Sequence, residues 1–172
     1  MSKVLIVSDS HGLTNELKML RERHMNEVDL MIHCGDSEMM PDDEVMNGYL
    51  TVKGNCDFGS YPLETTTEIA GRKFFVTHGH KYSVKSSLMN LQYKAAEVGA
   101  DIACFGHSHI LGAEVIGDTL FLNPGSIRMP RGRLEKTYVV LELLNDKINM
   151  TVYDISGREL KDLAFEFALP TR

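Results

Sequence analysis

The stretch that decides the fold runs from residue 3 to residue 36 and reads KVLIVSDSHGLTNELKMLRERHMNEVDLMIHCGD. Residues 3–8 and 30–34 are short apolar runs, a pattern typical of strands that are buried on both faces. Between them, Leu17 and Leu20 stand at helical spacing, which predicts an amphipathic helix over 14–25 with Thr14 as its N-cap. This order predicts a βαβ unit, whose parallel strands end at the same edge of a sheet.

The remaining chain continues this alternation and then changes to consecutive strands. Apolar runs predict further strands over residues 51–53, 73–77 and 102–105, and a helix over residues 86–98. The last third predicts antiparallel hairpins with strands over residues 113–116, 119–122, 137–144 and 147–153. The apolar segment 163–169 could either support a dimer or close the core.

Length and composition restrict the class of protein. With 172 residues and no linker rich in Pro, Gly or Ser, the chain predicts a single domain over residues 1–172. No apolar run reaches the roughly 20 residues of a membrane span, and no leader pattern is present, so we expect a cytoplasmic protein. The net charge of −6 opposes non-specific attraction to nucleic acid, and bound cations could offset part of it.

Polar residues gather just past the predicted strands, in five clusters that contain five of the seven histidines. Because ligands of open α/β sheets bind outside the carboxyl ends of the strands, we expect these distant clusters to converge. The clusters are Asp9-Ser10-His11, Gly35-Asp36, Gly54-Asn55-Cys56-Asp57, His78-Gly79-His80 and Gly106-His107-Ser108-His109.

The residue types in these clusters indicate a metal site. Asp9 and His11 are two residues apart, as are His107 and His109, so each pair can face one cavity from an extended segment. Oxygen and imidazole ligands without thiolate suit Mn, Fe(II), Zn or similar divalent ions. Asp36, between the two pairs, could bridge two such ions.

Each motif also has a purely structural interpretation. Asp and His after a strand commonly cap the next helix, Gly-Asp is a common turn, and Asn55 after Gly54 would ordinarily be a turn residue. Only the joint order of the motifs at strand ends favours function. Outside the clusters, His24 and His33 are interpreted as structural, and the methionines as core residues, with Met39 and Met40 an unexplained exposure or a lid.

Taken in order, Asp9-x-His11, Gly35-Asp36, Gly54-Asn55, His78 and Gly106-His107-x-His109 resemble the motifs of the calcineurin-like metallophosphoesterase family. The sequence Asn123-Pro124-Gly125-Ser126 resembles a signature of its small prokaryotic phosphodiesterases, the YfcE-like group. The matching motifs extend from Asp9 to Ser126 and so cover most of the chain. The resemblance implies an α/β fold, a four-layer α/β/β/α sandwich of two mixed sheets flanked by helices.

The same resemblance implies a ligand set for two divalent ions. Asp9, His11 and His109 would hold one ion, and Asn55, His78 and His107 would hold the other. Asp36 would bridge them, and a hydroxide between the two ions would attack the phosphorus. Mn²⁺ is the expected ion, with Ni²⁺, Fe²⁺, Zn²⁺ and Mg²⁺ as alternatives.

One departure from the family pattern leaves the general acid open. Many relatives carry a His directly after the motif Asn, whereas this chain has Cys56 at that position. The small phosphodiesterases also carry a Cys there. We favour a passive packing role for this thiol. Asp36, Asn55 and His80 are the predicted catalytic residues, and His80 is the candidate for contact with the substrate or leaving group. A positioning or structural role for His80 is equally open, and Asp57 could orient Asn55 or solvent.

Substrate binding is assigned to Asn55, His80 and Arg131. Arg131 belongs to a loop with Arg128 and Arg133, for which substrate contact is less expected. Because the motifs supply no Arg and a diester carries less charge than a monoester, the predicted activity is hydrolysis of a small-molecule phosphodiester. The alternatives are a phosphomonoesterase and a metal-free protein-binding scaffold, which a vesicle-coat subunit of similar fold exemplifies. A homodimer or homotetramer is left open.

Overall fold

A computed structural model describes residues 1–170. Two α-helices, α1 (Asn15–His24) and α2 (Met89–Val98), accompany eleven strands within these residues. In chain order the strands are β1 (Ser2–Val7), β2 (Leu30–His33), β3 (Tyr49–Thr51), β4 (Glu64–Ile69), β5 (Arg72–Thr77), β6 (Ile102–Cys104), β7 (Gly112–Ile116), β8 (Thr119–Asn123), β9 (Thr137–Leu143), β10 (Lys147–Asp154) and β11 (Phe165–Ala168).

The strands form two mixed sheets. The first sheet has the order β11-β10-β9-β1-β2-β3, in which β1, β2 and β3 are parallel and the other pairs are antiparallel. The second sheet has the order β4-β5-β6-β8-β7, in which β5, β6 and β8 are parallel and the two edge strands are antiparallel to their neighbours. Each sheet therefore has a parallel part that contributes three carboxyl ends to one edge.

Three apolar clusters define the layers. Alternate residues of β1 point to opposite faces, so Val4 and Ile6 join a core between the two sheets, while Leu5 and Val7 pack toward α1. In the second sheet Phe75 packs toward α2 and Phe74 toward the other sheet. Helix, sheet, sheet and helix thus form four layers, and the predicted α/β/β/α sandwich is confirmed.

Most predicted elements are present, but two strands were missed. β4 reads ETTTEI and has no apolar alternation, because it is an edge strand whose pairing with β5 compensates for weak local signal. β11 lies inside the apolar segment 163–169, which closes the core: Phe167 and Leu169 are buried against the inter-sheet cluster, whereas Phe165 is 61% exposed.

Some predicted boundaries were wrong. β3 covers Tyr49–Thr51 rather than 51–53, because its parallel register aligns it with Met31–His33 of β2. α2 begins at Met89 rather than at residue 86, since the backbone N–H groups of Ser86 and Ser87 both bond to Ser83 O in a turn. Thr14 does occupy the N-cap position of α1, but its side chain makes no capping hydrogen bond.

No helix within residues 1–170 is both long and apolar enough to span a bilayer.

The methionine pair that the sequence left unexplained lies in the loop after β2. Met39 is partly buried and packs against the cluster beneath α1, while Met40 is 52% exposed.

Candidate metal centre

The predicted polar clusters follow the parallel strands. Each of β1, β2, β3, β5 and β6 leads into one cluster, and β8 leads into the Asn123-Pro124-Gly125-Ser126 loop. Hydrogen bonds join neighbouring loops within each sheet, since Asp9 N donates to Gly35 O and Gly106 N donates to His78 O. Between the sheets, His107 N donates to Asp9 Oδ2. The convergence predicted from the sequence is therefore present at the carboxyl edge of both sheets.

The backbone at this edge is held in an uncommon conformation. Positive φ angles place five of the seven predicted ligands in the left-handed region, which side chains other than glycine rarely adopt. Such conformations persist where the surrounding contacts over-determine them, and they cluster at functional sites. These residues are Asp9 (54°), His11 (41°), Asp36 (60°), His107 (72°) and His109 (62°).

Two glycines allow the carboxylates to approach other loops closely. A Cβ atom at Gly54 would lie 2.0 Å from Asp36 Oδ1, and one at Gly106 would lie 2.5 Å from Asp9 Oδ2. Both distances are far below van der Waals contact, so a side chain at either position would displace a predicted ligand. Close packing against the carboxylates therefore explains why glycine precedes Asn55 and His107 in these motifs.

The two oxygens of Asp9 have different surroundings. Oδ2 accepts hydrogen bonds from Ser8 Oγ at 2.5 Å and from the backbone N–H of His107 at 3.1 Å. Oδ1 is buried and has no hydrogen-bond partner among the described residues, although His109 Nε2 lies 3.1 Å and His11 Nε2 3.6 Å away. An oxygen that is buried and unpartnered is costly, and a bound cation would compensate it.

The imidazoles are oriented so that their other nitrogens face this oxygen. His78 Nδ1 lies 2.8 Å from Cys34 O, and His109 Nδ1 lies 2.7 Å from Met129 O. His11 Nδ1 lies 2.9 Å from Glu38 Oε2. Since these oxygens can only accept, each Nδ1 carries a hydrogen, so that each ring in its neutral form presents an Nε2 lone pair to the centre. That tautomer is the one needed to ligate a metal through Nε2.

Asp36 lies between the two predicted ligand sets. Its Oδ1 accepts the backbone N–H of Cys56 at 2.8 Å, while Oδ2 is 3.1 Å from His78 Nε2 and 3.8 Å from His11 Nε2. Oδ2 therefore faces an imidazole of each set. This is the placement that a carboxylate bridging two ions would require.

The electrostatics of the cluster favour positive charge at its centre. Burial alone would raise the pKa of Asp9, but the neighbouring imidazoles of His109 and His11 lower it overall. Asp9 in turn raises the pKa of His11 to about 9, and Asp36 raises the pKa of His78 despite the opposing effect of burial. Without a cation the centre attracts protons, so a divalent ion binding there would displace them.

Within residues 1–170, three groups of ligand atoms are compact enough to hold an ion, with all ligand atoms of each group within 4.8 Å of one another. Two of them combine residues predicted from the sequence. The third includes Cys56, whose sulfur therefore lies beside the centre rather than away from it. The groups are Asp9–His11–His109, Asp9–Asp36–His78 and His11–Asp36–Cys56.

The residues of the predicted second ligand set lie near one another. Asn55 Oδ1 lies 3.1 Å from His78 Nε2, and the ring centroid of His107 lies 5.1 Å from that of His78. Burial and the charge of His78 lower the pKa of His107 to about 4, so that its ring is neutral at physiological pH. A neutral imidazole is the form that binds a metal.

His80 lies beside this second set, with its ring centroid 5.4 Å from that of His78 and 6.1 Å from that of His107. Burial and the charge of His78 lower its pKa. Its Nδ1 is buried without a hydrogen-bond partner among the described residues, and the ring lines a cleft that also contains Asn55. His80 thus retains a free polar atom next to the centre.

The three arginines of the 128–133 loop have different environments. Arg128 Nη1 donates to the backbone carbonyl of His11, so that it supports a ligand loop. Arg133 Nη1 lies 3.5 Å from Glu135 Oε2, and Arg133 lines a cleft that contains none of the predicted ligands. Arg131 is exposed and lines a cleft beside Ser108. Of the three, Arg131 is the one that borders a space next to the centre.

Asp57 has a different contact pattern from the one expected. Its Oδ2 accepts the backbone N–H groups of Asp36 at 2.9 Å and Gly54 at 2.7 Å, and its Oδ1 accepts that of Glu38 at 2.8 Å. The carboxylate therefore ties the loop after β2 to the loop after β3. The three hydrogen bonds come from backbone N–H groups and not from the Asn55 side chain.

Sequence reasoning missed residues that support the centre from outside. Glu38 fixes the tautomer of His11, and Ser8 occupies one oxygen of Asp9. Ser126 Oγ donates to Asp9 O at 2.7 Å, and Asn123 Nδ2 donates to Gly106 O at 3.1 Å. Only the Asn123–Ser126 motif had a sequence signal; the contacts of Ser8 and Glu38 depend on tertiary geometry.

A two-sheet α/β sandwich with convergent carboxylates and imidazoles at the ends of its parallel strands defines a class of metal-binding proteins. A model of the calcineurin-like phosphoesterase superfamily domain matches residues 2–146. The chain belongs to this family, and the predicted resemblance is confirmed. Membership supports a metal-dependent hydrolase that acts on phosphoester bonds.

Individual relatives agree with this membership. The chain is 51% identical over 161 residues to the probable metallophosphoesterase YsnB of Bacillus subtilis, covering 93% of this chain and 95% of the relative. A crystal structure of a predicted phosphoesterase from Streptococcus pneumoniae superposes with a TM-score of 0.93 at 36% identity, covering 97% of both chains. The phosphodiesterase YfcE of Escherichia coli is 27% identical over 117 residues, which cover 63% of this chain and 59% of YfcE.

More distant structural neighbours share the fold alone. Vacuolar protein sorting 29 of Cryptosporidium parvum superposes with a TM-score of 0.77 at 20% identity, covering 97% of this chain and 98% of that chain. The same architecture thus occurs in a protein that is named for sorting rather than for catalysis.

Proposed function

We propose that this protein hydrolyses phosphodiesters of small molecules with two divalent ions held at the carboxyl edge of its sheets. The observation that carries the proposal is the set of Nε2 atoms that face the unpartnered Oδ1 of Asp9 and Oδ2 of Asp36. Carboxylate oxygens and unprotonated imidazole nitrogens repel one another in a buried cluster unless a proton or a cation lies between them. Mn²⁺ is the expected ion, with Ni²⁺, Fe²⁺, Zn²⁺ and Mg²⁺ as alternatives.

In this proposal Asp9, His11 and His109 hold one ion, and Asn55, His78 and His107 hold the other, with Asp36 between them. Bound cations of this kind lower the pKa of a water and offset the charge of phosphate oxygens. The chain contributes fixed geometry: the left-handed backbone at five ligands and the Nδ1 contacts of His11, His78 and His109 orient the ligand atoms in advance.

His80 is the proposed contact for the substrate or leaving group. Its lowered pKa keeps the ring neutral at physiological pH, so it has one donor and one acceptor nitrogen. Burial raises the pKa of the Cys56 thiol, so that the thiol is protonated at neutral pH and a packing role is retained for it. Arg131 is the proposed contact for the substrate phosphate from outside the ligand set.

Preference for diesters over monoesters rests on charge and on one relative. A diester carries one negative charge and a monoester up to two, and the predicted ligand motifs contain no Arg or Lys. The relative named as a phosphodiesterase, YfcE, supports the same preference. The position of Cys56, where a His is expected in many family members, argues against the monoesterase alternative.

A metal-free scaffold is the competing proposal, and the vacuolar sorting neighbours make it specific. Against it, all seven predicted ligand positions carry polar, metal-compatible side chains, and the structure gathers them at one edge. A scaffold has no need for the unpartnered oxygen of Asp9 or for strained backbone at five ligands.

The test combines metal removal with a substrate screen. Protein stripped by a chelator should lose hydrolysis of phosphodiesters, and Mn²⁺ should restore it, with protons released on titration of the metal because His11 and His78 then lose theirs. Monoesters and cyclic nucleotides are measured in parallel. Full activity in stripped protein, or faster turnover of monoesters, would contradict the metal assignment or the diester preference respectively.

Three further expectations from the sequence stay predictions: a single domain over residues 1–172, a cytoplasmic location, and a homodimer or homotetramer. The partner proposed for the centre is a small-molecule phosphodiester, without a membrane and without nucleic acid, which the net charge of −6 disfavours.

A further inference from the structure

Two clefts with no lining residue in common lie beside the centre. One cleft, of about 550 Å³, is lined by Ser108, which stands between His107 and His109, and by Asn123, whose side chain donates to Ser108 Oγ at 3.0 Å. The other, of about 600 Å³, is lined by Asn55 and His80. A substrate phosphate at the centre would therefore have space next to it in two directions.

The first of these, the apolar cleft, is lined mainly by hydrophobic side chains. Its wall includes Val84, Leu88, Phe105 and Phe121, all of which belong to or pack against the apolar cluster beneath α2. Charged side chains at its border, Lys85, Glu114 and Arg131, are exposed. A wall of this composition favours a ring or another apolar group over a charged one.

The second, the polar cleft, has a different lining. It is lined by Lys53 and Lys81, and its one carboxylate is that of Asp57. The oxygens of Asp57 accept backbone N–H groups, and neither lysine forms an ion pair with Asp57 within the described residues. The polar cleft therefore offers positive charge to a ligand.

The difference between the clefts corresponds to the chemistry of a diester, in which the phosphorus carries two alcohol groups. We propose that the substrate is an unsymmetrical diester, with an apolar, ring-containing alcohol in the apolar cleft and an anionic alcohol in the polar cleft. This inference rests on the proposed function and adds the class of alcohol on each side. It makes Lys53 and Lys81 specificity-determining residues and the apolar cleft a binding site for the ring.

A single substitution can occupy part of the apolar cleft without a clash at the new Cβ atom. Gly112 on β7 lines this cleft, and a Cβ atom added there meets no heavy atom within 4 Å. Its φ angle is not in the left-handed region, so a side chain is tolerated. Gly112→Phe places a ring in the space, and Thr66→Phe, at an exposed position of the opposite edge strand β4, is the matched control.

The experiment uses two mixed diesters that differ only in one arm: para-nitrophenyl carboxyethyl phosphate and its neutral analogue para-nitrophenyl hydroxypropyl phosphate. Release of para-nitrophenolate by the full chain loaded with Mn²⁺ gives KM and kcat for each. We expect a KM about fivefold lower for the anionic diester, since an exposed charge contact contributes modestly. A double variant, Lys53→Gln with Lys81→Gln, should lose this difference and leave KM for the neutral diester unchanged.

Gly112→Phe should raise KM for both diesters by about tenfold or more, because the ring loses its apolar site, while Thr66→Phe should not. Mn²⁺ affinity measured by calorimetry verifies that each variant retains the centre. Equal KM for the two diesters in the wild type, or an unchanged KM in Gly112→Phe, overturns the inference while the proposed function stands. Absence of any diester hydrolysis in the wild type overturns both.

Discussion

The buried histidines of this protein lie in two kinds of environment, which differ in the partners available to the two ring nitrogens. His24 and His33 meet complementary partners: His33 Nδ1 accepts the backbone N–H of Gly35 at 3.1 Å, and its Nε2 lies 2.8 Å from Ser10 Oγ. His24 Nε2 lies 2.8 Å from Tyr138 OH, and its Nδ1 contacts a carboxylate oxygen of Glu27. Both nitrogens of each ring are satisfied within the protein.

At the metal centre only the Nδ1 atom of each ring has a partner outside the predicted ligand set. His11, His78 and His109 have a partner for Nδ1, but their Nε2 atoms face carboxylate oxygens of Asp9 and Asp36. The contrast shows why burial alone does not identify a functional histidine. What distinguishes the centre is that its remaining polar atoms converge on one another, so that protons or a cation must lie between them.

Asp36→Asn tests this contrast with the largest expected effect. The amide preserves size but removes the charge that faces both His11 and His78, so both ions should bind more weakly. We expect activity to fall by at least about a hundredfold, since changes to groups that merely support a ligand already cost about 10–100-fold. Measurements of kcat/KM and of Mn²⁺ affinity check the result.

Asp118→Asn, at an exposed position in the turn between β7 and β8, is the control and should keep full activity. Activity of Asp36→Asn within a few-fold of the wild type would remove Asp36 from the centre. Stability of the metal-free Asp36→Asn protein should fall modestly at neutral pH, because, against the effect of burial, His78 lowers the pKa of Asp36 overall and the fold therefore favours the charged carboxylate that this substitution removes.

A second prediction concerns His33, one of the two structural histidines, and the pH dependence of the free energy of unfolding. Burial lowers the pKa of His33 to about 4, below the value near 6.5 of an unfolded chain. Above that unfolded value His33 is neutral in both states; between the two values only the unfolded state takes up the proton. The free energy of unfolding should therefore lose roughly 3 kcal/mol from this group as the pH falls from 6.5 to 4.

Urea unfolding at a series of pH values measures this effect, with His33→Gln as the comparison. The variant should be less stable at neutral pH but should show a shallower loss of stability between those two pH values. Parallel pH profiles for the two proteins would show that His33 is not the titrating group.

The smallest expected effect is that of Cys56→Ser, which tests whether the Cys56 thiol belongs to the functional centre. The Cys56 sulfur lies within 4.8 Å of ligand atoms of His11 and Asp36, yet burial raises its pKa and so favours the protonated thiol. A passive thiol predicts a change in kcat of no more than about threefold, the range typical of substitutions away from critical contacts. A loss as large as that of Asp36→Asn would instead make the thiol functional.

Much of the fold could be predicted because its signals are local. The apolar runs of β1 and β2, the leucines of α1 and the handedness of the crossover specify a parallel unit without reference to the rest of the chain. The predicted ligands follow directly, since residues at the carboxyl ends of parallel strands must share an edge. The sequence by itself therefore determined the layered α/β class and the identity of the residues that gather.

Only the tertiary structure decided how distant segments pair. The two C-terminal hairpins look alike in sequence, but β7 and β8 join the second sheet while β9 and β10 join the first. β4 and β11 are edge strands with weak local patterns, and their partners decide that they form. Pairing between segments far apart in sequence depends on the whole packed core, which no local window contains.

The chemistry of the centre was decided at the same level. Sequence order could place Asp9 and His11 in one pocket, but not the contact of Glu38 with His11 Nδ1 or the absence of a partner for Asp9 Oδ1 among residues 1–170. These features depend on side-chain directions and on distances of a few ångströms between separate loops. Residue types are written in the chain, whereas lone-pair directions exist only after the loops have packed.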